Sequence, residues 1–392
     1  MSFFQLPQIP YRNDVCNLLD IEISEHKSTE PIINRTLMQY LTRMKSSIDD
    51  RQNDWDKYKK YTNPYEYIHT IVPNSNQSVC KLNPLSRSYY KMVEIYGLFD
   101  FDSMLPLKCN TFHLAEGPGG FIQALCDIRN NTNDNYKGMT LINDKQCVPG
   151  WKKSSAFLSK HKNVTLEYGV KGNGDIMSSD NLRWCFDKYR GSMDLVTGDG
   201  GFDFSVDFNH QESRGANLIF CQIAFAVATQ KYGGSFVLKL FDTFTQATVQ
   251  MIFLLSILYE NVYFVKPKTS RCANSEKYIV CKGFRLNNSA SFITCLLNSY
   301  HKLSEDGSII KLLKMNIPYF YSCKLQEINA IFGQQQIENI SSTLNLIDNS
   351  KYERLETMKR NQIEKCITWC KQYNLPYYTI FNTNTFLSDK QR

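Results

Sequence analysis

Thr111-Phe112-His113-Leu114-Ala115-Glu116-Gly117-Pro118-Gly119-Gly120-Phe121 is the stretch whose reading decides the fold of this chain. A short apolar run reads as a strand, empties into a glycine turn, and gives way to a helical stretch over 121–129. The glycines let the backbone turn tightly and approach a ligand at the carboxyl end of a first strand. Taken alone, the turn is equally a plain strand-to-helix connection. It is not the dinucleotide fingerprint GxGxxG, because Pro118 stands within it, and no Walker lysine follows.

Downstream the same texture repeats. Residues 137–142 read as a second strand, 164–168 as a third, and 193–197 as a fourth that runs into Gly198-Asp199-Gly200-Gly201. A long helical pattern covers 211–231, 234–240 is a fifth strand, 245–260 a further helix, and 261–265 and 276–281 close the series. Strands alternating with helices predict an α/β fold, a mostly parallel central sheet with helices on both faces. Residues 1–85 are polar and charged, with helical periodicity at 34–44 and many lysines and tyrosines at 57–67. The last hundred residues return to helical patterns, ending at 361–373. The expected organisation is a helical N-terminal extension at 1–104, the α/β core at 105–286 and a helical C-terminal extension at 287–392.

Composition narrows the function classes. The chain has 392 residues, and 45 basic against 38 acidic residues leave +7, a mild excess compatible with a nucleic-acid partner. Apolar residues at 42% and aromatics at 13% suffice for a core and exclude disorder or a collagen-like chain as overall descriptions. The 13 cysteines are scattered without a CxxC and His numbers six, so free thiols in a reducing compartment are expected and no metal site. The N-terminus lacks the basic and long apolar regions of a secretory leader. The strongest apolar run, 251–258, is too short to span a bilayer and predicts a buried helix, with no membrane partner.

Three further constellations carry chemistry. Asp199 and two glycines follow the fourth strand, where a carboxylate faces the same crevice as the first turn; a surface Asp-Gly turn is the plain alternative. Lys239 sits inside the otherwise apolar 236–240, which is costly unless it points into a polar site or snorkels at the strand end. Lys266-Pro-Lys-Thr-Ser-Arg271-Cys-Ala-Asn274-Ser-Glu276 is a basic loop of the residue types that hold phosphate and sugar, or else a solvated loop.

Together these pieces resemble the ribose 2′-O-methyltransferases of the FtsJ/RrmJ type, and within them the cap-specific mRNA enzymes of eukaryotes and large DNA viruses. The resemblance rests on 115–121, 138–141, 172–176, 198–202, 238–242 and 266–283, in order and at the expected spacing, with Asn63-Pro64-Tyr65-Glu66 and Arg87-Ser-Tyr-Tyr-Lys91-Met upstream. It covers about 40–285 and thins out towards 376. It implies a Rossmann-like class I fold, S-adenosylmethionine as methyl donor, and an active Lys-Asp-Lys-Glu tetrad of Lys91, Asp199, Lys239 and Glu276.

On that resemblance Lys239 is the base that takes the ribose proton. A free lysine, with a pKa of about 10.4, is charged at neutral pH. Burial and the Lys91 charge push it down, while Asp199 and Glu276 push the other way and orient the amines. Ala115, Glu116, Gly117, Pro118, Gly119, Gly120 and Phe121 would hold the methionine and ribose of the donor, and Asp175 and Ile176 its adenine. Asp144, after the second strand, offers a ribose ligand. Lys45, Ser46, Ser47, Ile48, Asp49 and Lys59 resemble the cap-contacting segment, and Asn209 and Asn274 match amides facing the transcript. A solvated helix face is the plain reading of Lys57, Lys59 and Lys60, and core packing that of Tyr58, Tyr61 and Tyr65.

The expected activity is methylation of the first transcribed nucleotide of capped RNA. The alternatives are a ribosomal RNA ribose methyltransferase and a non-catalytic cap-binding subunit of the same fold. The expected partner is the capped mRNA 5′ end, with other capping enzymes or RNA polymerase compatible and the oligomeric state open. Abundant Asn, Lys, Ile and Tyr suit an AT-rich viral genome, hence the cytoplasm, a viral factory or the virion, with the nucleus also open.

Overall fold

The computed structural model describes residues 3–12, 14–25, 30–142, 150–201, 211–300, 303 and 307–382. Its strands are β1 (Phe3–Gln5), β2 (Leu19–Ser24), β3 (Asn110–Leu114), β4 (Asn135–Met139), β5 (Val164–Leu166), β6 (Met193–Gly198), β7 (Gln230–Leu240), β8 (Tyr259–Val265), β9 (Lys277–Phe284) and β10 (Ser308–Leu313). Its helices are α1 (Arg35–Ser46), α2 (Gln52–Thr62), α3 (Ser88–Leu98), α4 (Phe101–Met104), α5 (Gly120–Arg129), α6 (Ser155–Lys160), α7 (Ser179–Tyr189), α8 (Gln211–Thr229), α9 (Gln246–Leu258), α10 (Ala290–Tyr300), α11 (Tyr319–Asp348) and α12 (Tyr352–Gln372).

Eight strands form one sheet in the order β1-β8-β9-β7-β6-β3-β4-β5. Neighbours from β5 to β7 are parallel, and β9 enters antiparallel between β7 and β8. The parallel strands are apolar on both sides because helices cover both faces. Alternation along β7 divides the core: Phe236 and Leu238 face the cluster under α8, α9 and α10, while Val237 faces the cluster under α3, α5 and α12. Helix α9 carries the apolar run 251–258 and is buried nearly all round, as expected of a core helix. Among the described residues no helix is long and apolar enough to cross a membrane.

Several expectations shift, among them β7, which begins at Gln230, inside the expected helix 211–231. The second strand starts at Asn135 and ends at Met139, the last residue of its register with β3. The chain leaves the sheet there, and Thr140 and Leu141 reach the site described below. The third strand stops at Leu166 instead of 168. The extensions are largely helical but also hold β1, an edge strand on β8, and the antiparallel ladder of β2 with β10. The ladder joins the N-terminal extension to the C-terminal one. The extensions also meet elsewhere: Thr62 and Thr343 hydroxyls lie 2.7 Å apart, Asn339 donates to the Thr62 carbonyl at 2.9 Å, and Gln362 donates to Lys60 at 3.1 Å.

Candidate active site

The carboxyl ends of β3, β6 and β7 open onto a cavity of about 620 Å³. Strand β3 delivers Ala115, Glu116 and Gly117; the loop after β5 delivers Asp175 and Ile176; β6 delivers Asp199; β7 delivers Lys239; α3 delivers Lys91. Ligands gather at this edge because each parallel strand ends there and its following loop must reverse. The cavity is lined more by apolar than by polar atoms, with Leu141, Ile176, Met177 and Leu218 beside Ser86, Arg87 and Ser88.

The first turn divides its labour. Ala115, Glu116 and Gly117 line the cavity, whereas Pro118, Gly119, Gly120 and Phe121 do not. Gly119 has φ +102° and enters α5 in a conformation that side chains rarely adopt. A Cβ on Gly120 would overlap the hydroxyls of Ser86 and Ser88 and lie 3.0 Å from the backbone nitrogen of Tyr89. Phe121 is buried, its ring 5.9 Å from that of Tyr278. These four residues build the turn that presents Ala115, Glu116 and Gly117 to the cavity.

Glu116 is a fully buried carboxyl at the cavity edge. Burial pushes it above the usual carboxylate range, against the pull of His113 and Thr197. Its Oε1 accepts from Thr197; its Oε2 lies 3.4 Å from His113 Nδ1 and makes no hydrogen bond. An unsatisfied buried carboxylate oxygen suits a cationic, hydrogen-donating ligand such as a sulfonium amino acid. Together with the apolar wall, it makes the cavity fit S-adenosylmethionine.

The tetrad assembles on one side of this cavity. Lys91 Nζ lies 2.7 Å from Glu276 Oε1 and 2.8 Å from Oε2, both residues being buried. Burial would raise the Glu276 carboxyl. The ammonium groups of Lys91 and Lys239, with hydrogen bonds from Lys91 and Ser270, outweigh it and hold the acid well below its ordinary range. Lys239 Nζ donates to the Asp199 carbonyl at 2.6 Å and lies 3.3 Å from Asp199 Oδ1. Tyr278 donates to the same Oδ1 at 2.8 Å, and Gln222 accepts from the Gly200 N–H at 3.1 Å. Asp199 therefore orients the Lys239 amine, and Tyr278 and Gln222 orient Asp199.

The basic loop from Lys266 to Glu276 is held by carboxylates. Glu94, one turn beyond Lys91 on α3, accepts from the N–H groups of Lys268 and Thr269 at 2.7 and 2.8 Å. Glu66 binds Arg271 through both oxygens, at 2.7 and 3.1 Å, and Asn63 accepts from the Cys272 N–H at 3.0 Å. Burial opposes ionisation of Glu66, but Arg271 and Arg87 bring its carboxyl down to about 2. Lys266 donates to the carbonyls of Asn274 and Glu276 at 2.5 and 2.9 Å. Burial drives its amine down to about 8, partly offset by Glu276. The Asn63–Glu66 motif is thus explained: it fixes the loop that carries Glu276.

The described residues among those expected to hold the substrate do not line this cavity. Lys45 Nζ is 2.7 Å from Asp242 Oδ2, beyond the end of β7, and Asn274 Oδ1 accepts from Lys266 at 3.0 Å. Ser47 donates to the Met44 carbonyl at 2.7 Å; Ser46, Ile48 and Asp49 continue the end of α1 towards α2. Lys59 pairs with Asp56 on its own helix. Asn209 and Asp144 lie outside the described residues. Sequence reasoning left Ser86, Gln222 and Tyr278 without roles. Arg87 was visible in the Arg87–Lys91 motif; Gln222, inside a buried helix, gave no local signal.

A family model described as FtsJ-like methyltransferase matches residues 84–284. The chain belongs to that family, whose methyl donor is S-adenosylmethionine. The cap-specific mRNA (nucleoside-2′-O-)-methyltransferase 1 of Trypanosoma brucei brucei is 35% identical over 285 residues, 71% of each chain. The cap-specific mRNA (nucleoside-2′-O-)-methyltransferase 2 of Danio rerio is 28% identical over 88% of this chain and 46% of its own length. The corresponding methyltransferase 1 of Dictyostelium discoideum is 27% identical over 91% of this chain and 48% of its own. The chain spans about half the length of these last two relatives.

Proposed function

We propose that this protein transfers a methyl group to the ribose 2′-hydroxyl of the first transcribed nucleotide of capped mRNA. The observation that carries the proposal is the convergence of Lys91, Asp199 and Lys239 on the cavity also lined by Ala115–Gly117, Asp175 and Ile176, with Glu276 bonded to Lys91. The relatives named for cap methylation support the choice of substrate.

Bound S-adenosylmethionine supplies an electrophilic methyl on sulfur. Ala115, Glu116 and Gly117 would hold its amino-acid and ribose parts, and Asp175 and Ile176 its adenine end. Lys239 takes the 2′-hydroxyl proton on Nζ as the oxygen attacks. The Asp199 carbonyl and carboxylate fix the direction of that amine. Lys91, steered by Glu276, stands beside it as a cationic donor to the reacting oxygen. In-line positioning supplies much of the rate, because it makes the reaction effectively intramolecular. The test is transfer of labelled methyl to short RNAs with a 7-methylguanine cap, a guanine cap or no cap. Capped RNA should be strongly preferred; equal use of uncapped RNA would favour a ribosomal RNA methyltransferase, and no transfer to any RNA a non-catalytic subunit.

A further inference from the structure

We propose a second RNA subsite, for a nucleotide downstream of the target ribose, in a cleft where α12 meets Tyr65 and the Lys266–Glu276 loop. This inference rests on the capped-RNA reading above. The cleft holds about 330 Å³, within the range of pockets that accept a nucleotide-sized group. It is separate from the donor cavity and shares no lining residue with it.

Its chemistry is that of a single-strand binding surface. Lys268 Nζ stands 5.7 Å from the centre of the Tyr65 ring, so a cation and an aromatic face are presented together. Lys365 adds a second cation from α12, tempered by Glu364 on the same rim. Asn361, Thr368 and Gln372 fall on one exposed helical face with Lys365 and offer amide and hydroxyl groups. Trp369 closes the floor, its ring packed 5.8 Å from Tyr90 and 4.8 Å from Tyr373. Cations that track phosphate beside a ring that stacks on a base are how strands are held without sequence preference.

The direction of the strand follows from the loop. Its Asn274–Ser275 flank shares a small cavity with Leu41 and Asp242, next to the Lys45 segment that resembles a cap contact. Its Lys268 flank faces the α12 cleft. Between the flanks, Arg87 donates to the Thr269 carbonyl at 2.9 Å, and Ser270 donates to Glu276. With the cap on the first flank and the reacting ribose at Lys91 and Lys239, the outgoing chain leaves past Lys268. The loop therefore couples the cleft to the tetrad through two or three residues.

The test uses the full chain and the double variant Lys268→Ala/Lys365→Ala. Side-chain truncation at 268 spares the backbone N–H that Glu94 holds. Anisotropy with a fluorescent, uncapped single-stranded RNA reads binding directly. The variant should bind about tenfold more weakly, and its plot of log affinity against log salt should flatten by about 1.4. In turnover, lengthening a capped dinucleotide by a few nucleotides should lower KM for the wild type several-fold and leave the variant almost unchanged. The capped dinucleotide itself should serve both proteins equally. Equal RNA affinity in the two proteins, or an equal loss on dinucleotide and longer RNA, would overturn the subsite. Failure of the wild type to use any capped RNA would overturn the function proposed above, and the anisotropy comparison would still decide the subsite.

Discussion

Replacing Glu276 with Gln removes one charge and almost no volume from the centre of the site. Lys91 and Glu276 have side chains only 10% and 11% exposed, and the pair closes at 2.7 Å. Breaking such a pair by neutralising one partner typically costs 3–5 kcal/mol, because the other charge stays buried. Glutamine keeps a carbonyl that can still accept from Lys91, so the cost should fall at the low end, about 3 kcal/mol. In a chain of this size that is a fall in Tm of about 4 °C by calorimetry. The pH dependence has a definite sign. The Glu276 carboxyl is depressed in the folded protein, so its contribution is complete above the unfolded value near pH 4.5 and is lost as pH falls through the folded value. The gap between wild type and Glu276→Gln should therefore be widest at neutral pH and narrow below about pH 4.5. Turnover should drop about a hundredfold, because Lys91 loses its steering and an error of about 1 Å has that effect. Donor affinity by titration calorimetry should stay within a few-fold, because Glu276 does not line the donor cavity. A variant with wild-type Tm and turnover within threefold would refute the pair's role.

Lys239→Ala should abolish methyl transfer while leaving donor binding within a few-fold; near-normal turnover would remove Lys239 as the base. Gln222→Leu deletes the acceptor of the Gly200 N–H and should reduce kcat more than it raises KM for RNA, since it acts through Asp199. Gly120→Ala puts a Cβ against Ser86, Ser88 and the Tyr89 backbone, and should destabilise the fold by about 1–3 kcal/mol in denaturant titrations. Glu66, brought from 4.5 to about 2, should supply about 3 kcal/mol at neutral pH that is lost as pH falls from about 4.5 towards 2. Glu66→Gln should accordingly show a shallower acid limb, and an unchanged limb would deny the Arg271 pairing its weight.

The strands around the site were legible because each is a buried apolar run ended by a glycine or an acid, as at Leu114–Gly117 and Gly198–Gly201. Lys239 was legible because an amine in an apolar strand demands a polar partner, which the Asp199 carbonyl supplies. Strand β1 escapes notice because three residues carry no periodicity, and β10 because a short apolar run reads as helix or strand equally well; β2, Leu19-Asp-Ile-Glu-Ile, does alternate as a strand does. The turn glycines also answer to the fold: Gly119 to its backbone angle, and Gly120 to neighbours from residues 86–89. Such neighbours lie far off in sequence and leave no local trace. Gln222 and Tyr278 escape for the same reason: Tyr278 acts on Asp199, and Gln222 on the neighbouring Gly200, through contacts that only the assembled sheet creates.

The most direct test of the account is the position of the new methyl group. Wild-type protein, S-adenosylmethionine and a 7-methylguanine-capped RNA would be incubated, the product digested by nuclease, and the capped fragment weighed by mass spectrometry. The account predicts one added methyl on the 2′-oxygen of the first transcribed nucleotide. It also predicts none when that oxygen is already methylated, and none with Lys239→Ala. A methyl on a base, on the second nucleotide, or on an internal ribose of uncapped RNA would contradict it.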